Sequence, residues 1–296
     1  MDFEKEIHQI TTLIPENITL APETTDIANT ALEAVNDRYG PDSDTYLPYH
    51  NAPHAVDIAR RGVRMVNMLW PYMSPRHRSR MYDLVIVDGA THDYDQDSGP
   101  GANEDNSIEY GIELVESFDG VLNTAVFKNR SALGTAATKV EMDENGRLIQ
   151  TNLRKGSRDP IKFIMAFSDI NGIAMEGDKR MLRDATNLYN EITPETSAKG
   201  YVDFLVGQAG FLRKRLNDSQ IKPDIKHYFP NDARAVYNDM YKAFHPNIIS
   251  AYNLADFIGK HPELLHVVEK GAQSFDRTGL SKLVGRYTRR MLAANQ

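Results

Sequence analysis

Two short runs of the chain concentrate side chains that can bind a metal ion. Residues Tyr49–Ala55 and Thr91–Asp95 contain three of the nine histidines, and the second run also carries carboxylates. No further histidine occurs between His92 and His227. Imidazole nitrogen combined with carboxylate oxygen suits divalent metals such as zinc, manganese or iron. These two runs therefore predict a metal centre.

A third segment has to contribute, because short runs alone cannot surround an ion. Asp169 is the natural candidate, since it follows an apolar run in the same way that His92 and Asp93 do.

The order of these residues resembles that of the HD superfamily of metal-dependent phosphohydrolases, whose ligands run His … His-Asp … Asp. The resemblance implies His54, His92, Asp93 and Asp169 as the metal ligands. It also implies one tightly bound ion and a second, mostly water-ligated ion that Asp93 bridges. Zinc, manganese, iron and magnesium are the metals expected.

Within that superfamily, the chain looks most like the class I cyclic nucleotide phosphodiesterases. Tyr49–Ala55 is similar to their Tyr-His-Asn-x-x-His-Ala motif, and Gln208–Phe211 is similar to their Gln-x-Gly-Phe motif. The resemblance covers about residues 45–255. It implies an enzyme that hydrolyses a cyclic nucleotide by attack of a metal-activated water on phosphorus.

The resemblance also implies roles for side chains around the ion. His50 is expected to be the general acid, because imidazole titrates near working pH. Gln208 and Phe211 are expected to hold the base, and Tyr49 to contact the substrate. Three polar neighbours are expected to support the ligands: Asn51, Asp95 and Gln96.

Two differences from the phosphodiesterase pattern leave alternatives open. Gln96 stands where the family's His-Asp-x-Asp-His-x-Gly run has its second histidine, and Gly99 is one place late. No histidine matches the family's later Glu-Asn-His-His segment. The alternatives are an HD phosphohydrolase acting on another nucleotide (a monoester, a triphosphate or a cyclic dinucleotide) and a catalytically silent member that binds a nucleotide or a partner protein.

The elements around the first run follow from proline chemistry. Proline is favoured in the first turn of a helix and disfavoured inside it, so Pro53 predicts a helix from about residue 51 or 52 to about residue 69. His54 then lies in the first turn, and His50 lies just before the helix. Earlier in the chain, Thr24 or Thr25 is a candidate cap for a helix that stops at Gly40.

The segment before the second run is ambiguous. Asp83–Gly89 reads equally well as a buried parallel strand or as the end of a helix. We favour the helix, because no alternating strand and helix pattern surrounds the segment. The helix also places His92 and Asp93 at a helix end, as the resemblance requires.

The whole chain predicts an all-α fold of the HD phosphodiesterase-like type. A small β-hairpin near 138–152, with Asn-Gly at its tip, is the expected insertion. We expect a single domain over 1–296, with an N-terminal helical cap at 1–44, a catalytic core at 45–255 and a helical tail at 256–296.

Composition narrows the partners. The 296 residues carry a net charge of −7, which argues against nucleic-acid binding and leaves a small nucleotide as the expected partner. The absence of cysteine excludes disulfides and thiolate metal sites. No signal peptide or apolar run of membrane-spanning length is apparent, so a soluble cytoplasmic protein without membrane contact is expected. Nothing in the sequence indicates an oligomeric state.

Overall fold

The computed structural model describes residues 1–99, 101–142, 148–193, 198–217 and 221–260, and these are mostly helical, as predicted. The α-helices among them are α1 (Phe3–Thr11), α2 (Thr24–Tyr39), α3 (Ala52–Leu69), α4 (Pro75–Arg78), α5 (Met81–Thr91), α6 (Ala102–Ser117), α7 (Ala125–Ala136), α8 (Pro160–Ile170), α9 (Gly172–Glu176), α10 (Asp178–Ile192), α11 (Ala198–Asn217), α12 (Ile221–Tyr228) and α13 (Ala233–Lys260). A 3-10 turn, Trp70–Tyr72, follows α3.

The described chain divides into two compact units. The first comprises Met1–Ile170 and Lys222–Tyr237, and the second comprises Asn171–Ile221 and the described residues from Asn238 onward. The single domain with divisions after residues 44 and 255 stays a prediction. The helical tail expected beyond residue 260 lies outside the described residues.

Two short strands lie in the region of the expected hairpin. β1 (Glu141–Met142) pairs antiparallel with β2 (Leu148–Ile149). Residues 143–147, which include the predicted Asn-Gly tip, lie outside the described residues, so the hairpin stays a prediction.

The two helices that carry the histidines form as predicted. α3 begins at Ala52 and ends at Leu69, with Pro53 in its first turn. The ambiguous segment is helical and belongs to α5. A left-handed residue, Arg80 (φ 55°), separates the short helix α4 from α5.

The start of α2 differs from the sequence expectation. Its N-cap is Glu23, not Thr24 or Thr25. Thr24 Oγ1 instead donates to Asp83 Oδ1 at 2.5 Å, and the same oxygen accepts from Ala21 N at 2.8 Å. The Thr24 hydroxyl, which the sequence predicts as a helix cap, is therefore hydrogen-bonded to a buried carboxylate that is distant in sequence.

α3 and α5 approach each other closely through glycines. A Cβ added at Gly89 would lie 2.6 Å from both Cα and N of Ala59, and one at Gly62 would lie 2.8 Å from Cβ of Val85. Such distances leave no room for a methyl group. The two helices therefore touch nearly backbone to backbone, and α8 and α2 pack around them.

In the described part of the chain, we find no helix that is both long enough and apolar enough to cross a membrane.

Substitution Gly89→Ala should separate α3 from α5. We expect a loss of ~1–3 kcal/mol in the free energy of unfolding, the usual cost of overpacking a close-packed interior. Urea denaturation measures it. The control is Gly207→Ala on α11, where glycine is exposed and an added Cβ meets no described atom within 4 Å. That change should be neutral or stabilising by up to ~1 kcal/mol through helix propensity. Equal losses in the two variants would contradict the close contact.

Candidate metal centre

His54 is positioned by the N-terminus of α3. Asn51 is the N-cap, and its Oδ1 accepts from the backbone N–H of His54 at 3.3 Å. The amide Nδ2 of Asn51 donates to the carbonyl oxygens of Leu47 and Pro48. Such a cap is worth ~1 kcal/mol of helix stability. Asn51 therefore supports His54 through the backbone, and the His54 side chain, 4% exposed, turns into the interior.

His92 is the C-cap of α5, the helix that packs against α3. Its Nδ1 lies 3.0 Å from the carbonyl oxygen of Gly89, three residues earlier. Because a carbonyl only accepts, Nδ1 carries the proton and donates. The lone pair of the neutral ring is thereby placed on Nε2, which is the arrangement found in metal-binding histidines.

Asp169 lies in the last turn of α8, next to Ser168. The carbonyl oxygen of Ser168 accepts from Arg61 Nη1 at 3.3 Å. Arg61 belongs to α3 and is completely buried, and it lies seven residues after His54. A buried guanidinium thus ties the end of α8 to the helix that carries the first histidine.

Three of the predicted ligands form one compact group. Single ligand atoms of His54, His92 and Asp169 all lie within 4.8 Å of one another, so these side chains can hold a metal ion. Asp93 is not a member of that group. Its Oδ2 nevertheless lies 3.0 Å from His92 Nε2 and 3.4 Å from His54 Nε2, while Asp169 Oδ1 lies 3.5 Å from His54 Nε2.

The atoms that face each other are buried and unpaired. Nε2 of His54, Nε2 of His92 and Oδ2 of Asp93 have no hydrogen-bond partner of acceptable geometry among the described residues, although they lie close together. Buried polar atoms rarely stay unpaired, because each costs ~1–3 kcal/mol. Nitrogen and oxygen atoms converging on one point satisfy the donor requirements of zinc, manganese or iron. The residues therefore fit a divalent ion.

Electrostatics within the centre couples His92 to Asp93. Burial alone disfavours the imidazolium, but the adjacent carboxylate outweighs it and raises the pKa of His92 to about 9. Burial also opposes ionisation of Asp93, yet the neighbouring histidines, His92 foremost and then His50 and His54, pull its pKa well below the usual range. A cation that binds Nε2 of His92 competes with the proton that this nitrogen carries in the imidazolium form.

The two aromatic side chains before α3 line the same area. The rings of His50 and His54 are 5.8 Å apart, centroid to centroid, and His50 is half-buried. Tyr49 packs against both, 4.8 Å from His50 and 4.4 Å from His54. His50 therefore lies beside the group and just before α3, and its role as the general acid stays a prediction. Tyr49 contacts a predicted ligand, and its substrate role stays a prediction.

The loop after His92 is held by two different residues. Gln96 Nε2 donates to Asp93 Oδ1 at 3.0 Å. Asp95 orders the loop itself: its carboxylate accepts from Ser98, from Asn106 and from the backbone N–H of residue 97, and it pairs with Arg38 at 3.2 Å. Of these two predicted supporting residues, Gln96 touches a ligand directly.

The predicted base-binding residues lie in the second unit. Gln208 and Phe211 are on α11, three residues apart and both partly buried, while Ala209 between them is fully buried. Their role in binding a nucleotide stays a prediction.

Sequence reasoning missed three supporting residues: Arg61, Asp88 and Gly89. Charged residues on the apolar faces of α3 and α5 are the signal that could have identified the first two, and a glycine inside a helix could have identified the third. Asp88 is completely buried one turn before His92, and Ser131 Oγ donates to its Oδ1 at 2.5 Å.

Comparison with protein-family models, with curated proteins and with solved structures returned no match to this chain. Its function is therefore inferred from its own residues.

The substitutions Asp93→Asn and Asp95→Asn should distinguish a metal ligand from a residue that only orders the neighbouring loop. Both changes remove one negative charge from nearly the same place in the chain. Asp93→Asn should weaken binding of zinc or manganese by more than ~100-fold, beyond the ~10–100-fold typical of a residue that only supports a ligand. Asp95→Asn should change it by less than ~10-fold, because its carboxylate is engaged in the loop. Isothermal titration measures both, and equal effects would remove Asp93 from the ligand set.

A second prediction concerns the buried Asp88. Burial raises the pKa of its carboxyl well above the usual value, and the Ser131 hydrogen bond only partly lowers it. The unfolded chain loses this proton near pH ~3.9, so the folded protein binds more protons above that pH and stability falls as pH rises. Asp88→Asn removes this component. Its free energy of unfolding relative to wild type should increase between about pH 5 and about pH 7 in chelator-containing urea titrations.

Ser131→Ala provides the control. Without the hydroxyl the charged form of Asp88 loses a donor, so the decline with pH should steepen in the wild-type background. The same change in the Asp88→Asn background should have an effect that does not vary with pH. Parallel pH profiles for wild type and Asp88→Asn would contradict the assignment.

Proposed function

We propose that this protein is a metal-dependent phosphohydrolase of the HD type that cleaves a phosphodiester in a nucleotide, most like the cyclic nucleotide phosphodiesterases. One observation carries the proposal: His54, His92 and Asp169, in that chain order, come from three different helices or helix ends to one buried point. Asp93 adds a carboxylate oxygen at 3.0 Å from the second histidine. This is the ligand order of the superfamily that the motifs resemble.

The ligands and their neighbours divide the chemistry. His54, His92, Asp93 and Asp169 would hold a divalent ion, which would polarise a phosphoryl oxygen and lower the pKa of a water molecule. His50 is the proposed general acid, which gives a proton to the leaving sugar oxygen. Its place just before α3, beside the group and only half-buried, leaves it within reach of a substrate.

Two further parts of the proposal rest on the resemblance. Gln208 would hydrogen-bond the edge of the base and Phe211 would stack on its face, a contact worth ~1–3 kcal/mol. A cytoplasmic location is part of the same proposal.

The test is elemental analysis followed by a substrate panel with added manganese. The panel contains cyclic nucleotides, nucleoside monophosphates and triphosphates, cyclic dinucleotides and p-nitrophenyl phosphodiesters. Hydrolysis of cyclic nucleotides supports the proposal. Turnover of a monoester or triphosphate alone moves the protein to another branch of the superfamily, and bound metal without any turnover identifies a catalytically silent member.

His50 and His54 should differ sharply when substituted. His54→Ala removes a ligand, so it should deplete the metal and abolish turnover of every substrate. His50→Ala should keep the metal and lower kcat by ~10²–10⁴-fold on a substrate with a poor leaving group. With a p-nitrophenyl phosphodiester the loss should shrink, because that leaving group is stable as an anion. A loss of metal in His50→Ala, or equal losses on both substrates, would assign the acid to another residue.

A further inference from the structure

The two oxygens of the Asp93 carboxylate have different surroundings. Oδ2 is buried, has no hydrogen-bond partner in the described chain and faces Nε2 of both His92 and His54. Oδ1 accepts a hydrogen bond from Gln96 Nε2 at 3.0 Å. One oxygen is therefore available to a cation, and the other already has a donor.

The Gln96 amide cannot simply turn around. With its oxygen toward Asp93, two acceptors would face each other, so the NH₂ group has to point at Oδ1. The backbone of Gln96 is also fixed, since its N–H donates to Tyr39 Oη at 2.8 Å. Tyr39 is completely buried on α2, and its hydroxyl donates to Asp97 Oδ2 at 3.0 Å. The buried Tyr39 in the core of the first unit thus fixes the backbone of the residue that donates to Oδ1.

This arrangement affects how many ions the centre can hold. In two-metal sites the ions lie ~3.5–4 Å apart, and a carboxylate that bridges them uses its two oxygens. The N–H group of Gln96 places partial positive charge beside Oδ1, where the second ion would bind. The second, mostly water-ligated ion that the resemblance implies would have Asp93 as its main protein ligand, so weakening that one contact would remove most of its attachment.

We infer that Gln96 is a positioning residue that reserves Oδ1 of Asp93 and limits the centre to one tightly bound divalent ion. The inference rests on the metal centre of the proposed function and goes beyond it, because the family resemblance implies two ions. Gln96 thereby directs Oδ2 toward the histidines, while its own NH₂ group occupies Oδ1.

The experiment counts manganese ions in the purified protein. Equilibrium dialysis should give one tightly bound Mn²⁺ per wild-type chain, and electron paramagnetic resonance should show the hyperfine pattern of an isolated ion. Gln96→Glu replaces the donor with a carboxylate of the same shape. It should bind a second Mn²⁺ and give the broadened spectrum of two spin-coupled ions.

Two controls separate this effect from charge and from general loosening. Gln9→Glu makes the same change of charge at an exposed position of α1 and should keep one ion. Gln96→Ala frees Oδ1 without adding a ligand, so it should weaken the first ion by ~10–100-fold, as expected for loss of a supporting residue. Far-ultraviolet circular dichroism checks that each variant folds.

The outcomes distinguish this inference from the proposed activity. Two spin-coupled ions in the wild-type protein, no bound ion, or one unchanged ion in a folded Gln96→Glu protein would each overturn it. If Gln96→Glu fails to fold, the wild-type count and spectrum decide alone. One isolated ion without turnover of any substrate supports the role of Gln96 while refuting the activity.

Discussion

The near-contact of the backbones of α3 and α5 is the constraint on which the candidate centre depends. There is no room for a methyl group between Gly89 and Ala59, and there is none between Gly62 and Val85. His54, in the first turn of α3, and His92, at the end of α5, consequently have ring centroids 5.6 Å apart. The histidines meet because the helices that carry them have almost no side-chain layer between them.

The centre is assembled at a cost in folding free energy. Polar atoms of His54, His92 and Asp93 are buried together without a hydrogen bond of acceptable geometry in the described chain, and each such atom costs ~1–3 kcal/mol. The buried Asp88 adds a second unfavourable group one turn away. The cap at Asn51 and the buried Arg61 stabilise the helix ends instead, which keeps the predicted ligands in place. A bound cation offsets the first cost, since it supplies the positive charge toward which these atoms point.

Local chemistry accounts for what could be predicted. Pro53 and the N-cap Asn51 define the start of α3, so the different positions of His54 and His50 could be inferred from a few neighbouring residues. The ambiguous segment before His92 was resolved as helix by the absence of a strand pattern around it. The same local reasoning gave the wrong cap for α2, because Thr24 donates to Asp83, 59 residues later. A distant buried carboxylate overrode the local preference.

The sequence by itself determined the types and order of the predicted ligands, the helical class of the described chain and the helix ends at which His54 and His92 lie. These depend on side-chain chemistry and on neighbours within one or two turns. Only the tertiary structure decided that Arg61 reaches Ser168, 107 residues away, and that Tyr39 fixes the backbone of Gln96 beside Asp93. Such contacts depend on how closely helices pack, and packing is set by the shapes of many distant side chains together rather than by any local pattern.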